Sequence, residues 1–506
     1  AGINDWGGVS PLTPDHVNPE APWPHLDKLA LETAAAGKFL DQRLTIYPAY
    51  ASDRGRWLDE ALHSAVLDHS DSMGFARRDA WVPGEDRPVP GVEQQLIATP
   101  PRSENVSSDV REIVQRCISG AAVDEADIER LFLSRGADFA HVVSAANTLR
   151  ETVVGDTVTY VVNRNINYTN VCYFKCQFCA FSKGKASENL RGRPYDISGE
   201  EIARRCDEAW QRGATEVCMQ GGIHPDYTGQ TYLDILRTVR AASPAMHIHA
   251  FSPLEVWQGA QTLGLDLRSY LQQLQGAGLS TLPGTAAEIL DDEVRATLCP
   301  DKLNTAQWLQ VMETAHGLGL RTTATIMYGH MEAPRHWARH LQQLRELQQR
   351  TGGFTEFVPL PFVHMEAPMY LKGNARRGPT FREAVLMHAV ARLVFNGLID
   401  NIQTSWVKMG EEGVAACLRA GANDLGGTLM NESITRAAGS DHGQEWSPTR
   451  MEAQITGAGR LPRMRTTLYA DAPGAQRMSA FGAAPLSAPD NASCLLYTSP
   501  SPRDKF

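Results

Sequence analysis

The feature that most constrains the fold of this chain is a regular alternation of strand-like and helix-like segments between residues 157 and 406. Short runs of apolar and β-branched residues alternate there with longer segments that carry apolar residues at three-and-four spacing. Repeated β–α units of this kind build a parallel sheet covered by helices. The sequence therefore predicts an α/β fold, a partial or complete (β/α) barrel of the TIM type with helical N-terminal and C-terminal extensions.

The same pattern bounds the individual elements. Strands are predicted at residues 157–162, 216–220, 247–251, 279–283, 321–328, 354–360 and 399–406. Helices are predicted from a capping box at residues 198–201 to residue 213, and at residues 305–317, 335–349 and 380–396. Shorter helices are expected at residues 26–40 and 57–72 and within residues 108–151.

Polar residues cluster where the predicted strands end. A cysteine-rich loop follows the first strand, and further clusters lie at residues 220–226, 251–253, 283–288, 328–330 and 403–406. In barrels of parallel strands, the active site is built on the loops at the carboxyl ends of the strands. We therefore expect these clusters to converge on one rim and to form a site.

Three cysteines, Cys172, Cys176 and Cys179, form a C-x3-C-x2-C motif in the first of these loops. An electron-transfer [4Fe–4S] cluster is held by four thiolates. Three thiolates leave one iron open, and an open iron can chelate the amino and carboxylate groups of S-adenosyl-L-methionine. The motif therefore predicts a radical enzyme that uses a [4Fe–4S] cluster and S-adenosyl-L-methionine as cofactors.

Zinc is the main alternative for these thiols. A structural zinc site usually pairs two short Cys/His groups, and the sequence has no second group of that kind. The nearest cysteine downstream, Cys206, falls in a predicted amphipathic helix, where it is expected to be a small core residue. Nine cysteines without a paired framework also argue against disulfides.

Six residues near the strand ends are candidates for binding S-adenosylmethionine: Phe178, Gln220, Gly221, Gly222, Ser252 and Glu288. The two glycines let the backbone approach a ligand closely, and its carbonyls could accept hydrogen bonds from the cofactor ammonium. A tight turn is the alternative explanation for the glycines. For Ser252 and Glu288 the alternative is helix capping.

His330 and His224 follow strands and are candidates for catalytic proton transfer, because imidazoles titrate near neutral pH. Tyr328 is placed with them as a catalytic candidate, and Gln403 and Trp406 are expected in the substrate pocket. Structural histidines and ordinary core packing are the competing explanations.

Charge and hydropathy exclude some partners. The net charge of −10 leaves no excess of basic surface for nucleic acid or anionic lipid. No uninterrupted apolar run is long enough for a membrane span. We expect a cytoplasmic enzyme, since an oxygen-labile cluster favours a reducing compartment.

An internal repeat indicates a second, related module. Residues 2–9 read GINDWGGV and residues 421–428 read GANDLGGT, identical at five of eight positions. We expect residues 1–81 to be the C-terminal remnant of a first module, followed by a linker at 82–107, a helical lead-in at 108–150, a core at 151–407 and the C-terminal part of that module at 408–487. Residues 488–506 are expected to be a disordered or artefactual tail.

Four motifs together resemble the radical S-adenosylmethionine FO synthases, which make a deazaflavin. The motifs are NRNINYTN at residues 163–170, MQGG at 219–222, LPGTAAE at 282–288 and TIMYGH at 325–330. The resemblance to the tyrosine-using half covers residues 108–468, and residues 2–14 resemble the end of the deazaflavin-closing lyase half. The pattern implies a fused, bifunctional FO synthase that lacks its first cluster-binding core.

The resemblance implies a 4-hydroxybenzyl transferase acting in FO synthesis for coenzyme F-420. An adenosyl radical would take hydrogen from L-tyrosine, the Cα–Cβ bond would break, and the 4-hydroxybenzyl radical would add to 5-amino-6-(D-ribitylamino)uracil. A low-potential electron donor of the flavodoxin or ferredoxin type would be the partner. Without the lyase's own cysteine motif, the chain is not expected to complete FO alone.

Two alternatives stay open from the sequence. Radical enzymes of the menaquinone futalosine pathway share the cysteine spacing and the barrel, although they stand alone and carry no lyase-like segment. A non-catalytic iron–sulfur or zinc scaffold belongs to another class, and the polar strand ends argue against it.

Overall fold

The computed structural model describes residues 3–10, 13, 16–20, 23–182 and 194–489. The strands in these ranges are β1 (Thr157–Val161), β2 (Asn163–Ile166), β3 (Glu216–Met219), β4 (His247–Ala250), β5 (Thr281–Leu282), β6 (Arg321–Tyr328), β7 (Phe354–Pro361), β8 (Asp424–Gly427) and β9 (Leu461–Arg465). All but the last two fall on or next to strands that the sequence predicts.

The strands form a barrel of parallel segments. Strands β2 to β7 make one parallel sheet in the order of the sequence, and β8, β1 and β9 make a second one with β1 in the centre. Single parallel bridges join the sheets from β7 through residues 402–403 to β8, and from Met430 back to Arg164 of β2. The predicted (β/α) barrel is therefore confirmed, with irregular segments completing its circuit.

Two predicted strands differ from the structure. The cysteine loop follows β2, because the chain leaves β1 at Val162 and starts a new strand at Asn163 in the other sheet. The predicted strand at residues 399–406 is wrong: only residues 402 and 403 form bridges, and Trp406 begins a helix. Its apolar run is buried as an irregular segment between β7 and β8.

The α-helices surround this barrel. Those before it are α1 (Leu26–Ala35), α2 (Pro48–Ser52), α3 (Arg54–Trp57), α4 (His63–Asp68), α5 (Gly91–Ala98), α6 (Ser108–Ser119), α7 (Glu125–Phe132) and α8 (Gly136–Val154). Those within and after it are α9 (Gly199–Gln211), α10 (Gly229–Ala242), α11 (Pro253–Leu263), α12 (Leu267–Ala277), α13 (Asp292–Leu298), α14 (Thr305–His316), α15 (Pro334–Thr351), α16 (Pro368–Leu371), α17 (Phe381–Val394), α18 (Trp406–Leu418), α19 (Ile434–Ala437), α20 (Pro448–Gly457) and α21 (Gly474–Phe481).

Helix starts follow the capping signals of the sequence. The Ser198 hydroxyl accepts a hydrogen bond from Glu201 N at the start of α9 (3.3 Å), as the capping box predicts. Thr380 and Glu383 form a reciprocal capping box at α17, which is buried along its whole length between the barrel and the lead-in helices. No α-helix of the described ranges has the length and apolar character that crossing a membrane requires.

The helices of the N-terminal region are shorter than predicted, and part of this region contacts the barrel module. Helix α1 ends at Ala35 before Gly37, which adopts φ +71°, and the helix predicted at 57–72 is reduced to a 3₁₀ turn and α4. Arg77 Nη1 donates to the carbonyl of Gly378 (2.8 Å). The predicted linker contains α5 and buries Val89 and Val106, so it is packed against the barrel module and not extended.

Candidate active site

A cavity of about 410 Å³ extends from the interior of the barrel to the carboxyl ends of its strands. Nine of the twelve predicted site residues line it: Cys172, Cys176, Cys179, Phe178, Gln220, Gly221, Gly222, Ser252 and Glu288. These residues come from four different strand ends, so the fold brings them together as the barrel argument predicts. The predicted pocket residues Gln403 and Trp406 line the same cavity.

The three cysteines lie at one end of this cavity on the loop after β2. All three are partly exposed, and the Cys179 sulfur accepts a hydrogen bond from Ser182 N (3.4 Å). Burial raises the pKa of the Cys176 and Cys179 thiols. Thiolate at these positions therefore depends on the binding of a positively charged group.

The spacing of the thiols fits a cluster better than a single ion. Within the described residues, the three sulfur atoms do not all lie within 4.8 Å of one another. Sulfur ligands of one tetrahedral zinc are about 3.8 Å apart, as follows from Zn–S bonds of about 2.3 Å. The three thiols therefore do not form a ready site for one zinc ion.

The two glycines after β3 have no room for a side chain. A Cβ atom on Gly222 would lie 2.3 Å from the carbonyl oxygen of Val171, next to the first cysteine, and one on Gly221 would lie 2.4 Å from the Tyr168 ring. Both residues also line the cavity. The glycine pair therefore holds the cysteine loop close to β3 and leaves backbone atoms open to a ligand.

Ser252 and Glu255 form a buried polar corner beside these glycines. Ser252 caps α11 by accepting a hydrogen bond from Glu255 N, so the capping alternative for Ser252 is confirmed. Glu255 in turn accepts hydrogen bonds from the Tyr168 hydroxyl and from Gly221 N (3.2 Å). This carboxylate fixes the glycine turn, and the Ser-Pro-Leu-Glu capping box was the signal that could have identified it.

Glu288 pairs with Lys302 at the cysteine end of the cavity. Lys302 Nζ lies 2.8 Å from Glu288 Oε1 and 5.3 Å from the centre of the Phe178 ring. Glu288 adopts φ +45°, an unusual backbone conformation for a residue other than glycine. Glu288 is thus held by an ion pair, and it does not cap a helix.

A second polar group lies in the interior of the barrel. Arg465 donates from Nε to Asp424 Oδ2 (2.6 Å) and from Nη2 to Glu356 Oε2 (3.2 Å), which also accepts from the Tyr469 hydroxyl (2.6 Å). Burial raises the pKa of Glu356 to about 7, although Arg465 acts in the opposite direction. Gln403 Nε2 donates to the same carboxylate (3.3 Å).

The three catalytic candidates lie elsewhere. Among the described residues, neither His330, His224 nor Tyr328 belongs to the cavity lining. His330 is fully buried with Nδ1 2.8 Å from Glu332 Oε2, and Tyr328 is fully buried against the edge of Trp337. His224 is buried, stacks on Tyr227 and accepts a hydrogen bond from Asp226 N, and its catalytic role stays a prediction.

Sequence reasoning missed seven charged residues that line the cavity. They are Glu216, Glu255, Lys302, Glu356, Lys408, Glu432 and Arg465. Most of them lie alone on strands or on C-terminal loops, and their partners are distant in the sequence. No local spacing marks them, apart from the capping box of Glu255.

Two family models match the chain. The radical SAM superfamily matches residues 166–344, and the CofH/MqnC C-terminal region matches residues 351–478. Among solved structures, methylornithine synthase has the same fold, with a TM-score of 0.55 at 17% identity over 69% of this chain and 97% of that one. Barrel, cysteine loop and family models define a radical S-adenosylmethionine enzyme, which uses a [4Fe–4S] cluster and S-adenosylmethionine.

Two curated relatives indicate which group of radical S-adenosylmethionine enzymes this chain is similar to. An FO synthase of Mycobacterium leprae is 46% identical over 508 residues, covering 93% of this chain and 58% of the relative. The 5-amino-6-(D-ribitylamino)uracil–L-tyrosine 4-hydroxyphenyl transferase of Methanocaldococcus jannaschii is 50% identical over 327 residues, covering 64% of this chain and 90% of the relative. The chain belongs to the family of this transferase and the FO synthases. It spans about three fifths of the length of the FO synthases that it matches.

Proposed function

We propose that this enzyme transfers the 4-hydroxybenzyl group of L-tyrosine to 5-amino-6-(D-ribitylamino)uracil, a step of FO synthesis for coenzyme F-420. The observation that carries the proposal is the 50% identity to a transferase named for these two substrates, over 90% of its length. In this reaction the Cα–Cβ bond of tyrosine breaks, a new carbon–carbon bond joins the benzyl carbon to the uracil, and the two-carbon remainder of tyrosine leaves.

Cys172, Cys176 and Cys179 would hold the cluster, since they line the cavity together from one loop with C-x3-C-x2-C spacing. Bound together, the cluster and S-adenosylmethionine supply a 5′-deoxyadenosyl radical. The cofactor would be bound beside the cluster by Phe178, Gln220, Gly221, Gly222, Ser252 and Glu288, because all six line the same cavity as the three cysteines.

The polar interior of the barrel would bind the ribitylaminouracil. This substrate presents amino, ring N–H and hydroxyl groups, which donate hydrogen bonds. Glu216, Glu356 and Gln403 offer acceptor oxygens to the cavity in this region, and Arg465 holds the Glu356 carboxylate in place. An acceptor-rich wall fits a donor-rich ligand.

A low-potential donor of the flavodoxin or ferredoxin type would deliver one electron for each cofactor cleaved. We place the reaction in the cytoplasm, because an oxygen-labile cluster needs a reducing compartment. Neither nucleic acid nor a membrane is proposed as a partner; the net charge is −10.

An anaerobic product assay tests the proposal. The chain would be reconstituted with iron and sulfide, reduced, and incubated with S-adenosylmethionine, tyrosine and the ribitylaminouracil. Mass spectrometry is expected to detect 5′-deoxyadenosine and the hydroxybenzyl adduct together. Deoxyadenosine without adduct would keep the radical enzyme and discard this pair of substrates, which would leave a futalosine-pathway substrate to be tested.

We further propose that the segment up to residue 81 corresponds to the C-terminal region of a second module of the same family, the deazaflavin-closing lyase half. The repeated Asn-Asp motif carries the same contacts twice. Asp5 pairs with Arg43 (2.5 Å), whose guanidinium lies 4.7 Å above the Tyr47 ring. In the barrel module, Asp424 pairs with Arg465, which lies 4.0 Å above the Tyr469 ring.

Exposed apolar side chains support this second proposal. Ten of the twenty large apolar side chains that are exposed in the described ranges precede residue 63: Ile3, Trp6, Val17, Leu26, Leu31, Phe39, Tyr47, Tyr50, Trp57 and Leu62. We propose that these side chains contact another part of such a module, since large exposed apolar patches mark sites of association. We also propose four further segments with the bounds predicted from the sequence. They are a packed connection at 82–107, a helical lead-in at 108–150, a core at 151–407 and the C-terminal part of the same module at 408–487.

Sedimentation analysis of a mixture tests this assignment. The chain would be mixed with the part of an FO synthase that it does not match. A complex is expected with the unaltered chain and a weaker one with Arg43→Met. No association in either mixture would contradict the proposal.

A further inference from the structure

Three lysine or arginine side chains line the cavity among the described residues, and they differ in their partners. Lys302 has the Glu288 carboxylate at 2.8 Å. Arg465 has Asp424 at 2.6 Å and Glu356 at 3.2 Å. Lys408 has no carboxylate within 4.0 Å among the described residues, so its charge is not neutralised by a direct ion pair.

The surroundings of Lys408 are fixed by the C-terminal region. Its Nζ donates to the Thr435 hydroxyl across 3.3 Å, the one hydrogen bond that it makes within the described chain. The charge of Glu432 acts on Lys408, but this carboxylate accepts hydrogen bonds from the backbone, from Thr435 N (2.8 Å) and Arg436 N (3.2 Å). Glu432 therefore stabilises the loop before α19 and leaves the ammonium group facing the cavity.

A cation in this position destabilises the folded protein unless a ligand pairs with it. An ammonium group has three donors, and a charged group that loses water without a partner is strongly unfavourable. Lys408 lies on the first turn of α18, before a kink at Gly410 where φ is +66°. The start of the helix and this kink together set the position of its backbone.

We propose that Lys408 is a binding residue for the α-carboxylate of the amino-acid substrate, with the Thr435 hydroxyl as its neighbour in the same subsite. The inference rests on the proposed function, because it needs a substrate that carries a carboxylate into this cavity. The ribitylaminouracil has no anionic group at neutral pH, so it does not match this subsite. A lysine ammonium is a compact point charge that suits a single carboxylate.

Binding measurements on the assembled enzyme test the assignment. The reconstituted protein, loaded with S-adenosylmethionine and left unreduced so that no turnover occurs, would be titrated calorimetrically with L-tyrosine and with tyramine, which lacks the carboxylate. The unaltered enzyme is expected to bind tyrosine more tightly than tyramine. Lys408→Gln should weaken tyrosine binding by about 10- to 100-fold and leave tyramine binding within about twofold, which is the scale of one charge-assisted hydrogen bond.

Two further variants control the result. Lys28→Gln removes an equal charge from an exposed helix position, where Lys28 pairs with Glu32, and should keep the preference for tyrosine. Lys408→Arg keeps the charge and should restore part of the preference. Thermal unfolding of each variant separates loss of binding from loss of fold, and the tyrosine-to-tyramine ratio is measured on folded protein in every case.

The outcomes are distinct. If the unaltered enzyme prefers tyrosine and Lys408→Gln keeps that preference, the inference is overturned and the proposed function stands. If Lys408→Gln instead weakens S-adenosylmethionine binding and leaves tyrosine unaffected, the subsite belongs to the cofactor and the inference is also overturned. If the unaltered enzyme does not bind tyrosine, the proposed function fails, and the inference fails with it.

Discussion

Arg465 donates from Nε to Asp424 Oδ2 across 2.6 Å in a region where both side chains are almost fully buried. The same residue types at Asp5 and Arg43 form the same contact across 2.5 Å, but there both side chains keep about a quarter of their exposure, 24% and 23%. One chain thus contains a buried and a partly exposed copy of one interaction. Arg465 of the buried pair lines the cavity, whereas neither Asp5 nor Arg43 is among the described residues that line it.

Breaking the two copies should therefore have unequal effects. Arg465→Met leaves Asp424 and Glu356 buried without their cation, so the free energy of unfolding should fall by about 3–5 kcal/mol. Arg43→Met removes a solvent-screened pair and should change the free energy of unfolding far less than Arg465→Met does. Urea denaturation of both variants measures the difference, and equal effects would show that the buried pair is not a special determinant of stability.

Cluster binding should depend on the loop cysteines and not on a cysteine of the protein core. Cys176→Ala removes a thiol at the cavity rim, so the reconstituted protein should lose most of its iron and its visible absorption. Cys206→Ala is the matched control, because Cys206 is a fully buried core residue of α9 and should leave the iron content unchanged. Full iron content in Cys176→Ala would contradict the assignment of this thiol as a ligand.

The glycine pair offers a test of backbone geometry. Gly222→Ala would bring a Cβ atom to 2.3 Å from the carbonyl oxygen of Val171, so the cysteine loop must move. We expect a loss of stability of about 1–3 kcal/mol and weaker retention of iron and S-adenosylmethionine. At Gly199 the nearest atoms would be 3.8 Å away, so Gly199→Ala should behave as the unaltered protein. Normal iron and cofactor binding in Gly222→Ala would argue against the role of this turn.

Much of the fold and half of the site could be predicted from local pattern. Strand β6 has the predicted bounds, and the predicted cysteine and glycine motifs line one cavity, because a motif fixes its own geometry over a few residues. The segment at 399–406 could not be predicted, since its apolar residues are buried as an irregular bridge and apolar runs do not reveal their hydrogen bonding. Lys408 and Arg465 were missed for a related reason: their partners lie up to 109 residues away in the sequence.

The histidine candidates show another limit of sequence reasoning. His330 follows a strand, as a catalytic residue of a barrel would, yet it turns into the core and pairs with Glu332. Position at a strand end does not decide which way a side chain points, and the His330 ring is held in the core beside Glu332. The charged residues inside the cavity are better candidates for substrate contacts.

The pH dependence of tyrosine use should report the charge of Lys408. Burial lowers the pKa of Lys408 to about 8, although Glu432, the charged group that faces it, opposes the shift. The ammonium form is therefore present below pH 8 and is lost as the pH rises through that value. The kcat/KM for tyrosine should fall above pH 8, approaching about tenfold per pH unit.

Lys408→Arg provides the control for this profile, because guanidinium does not titrate in this range. Its kcat/KM for tyrosine should stay level from pH 7 to pH 9, apart from any decline caused by the amino group of tyrosine itself. Identical profiles for the two enzymes would show that another group governs the pH dependence.

We expect the enzyme to split tyrosine between Cα and Cβ and to pass the aromatic part to the ribitylaminouracil. The most direct measurement supplies the reconstituted, reduced enzyme with L-tyrosine labelled with ¹³C at Cβ or, separately, at Cα, and follows the label by mass spectrometry. The Cβ label is expected in the uracil adduct and the Cα label only in the two-carbon product. An adduct that retains the Cα label, or cofactor cleavage with no labelled adduct, would contradict it.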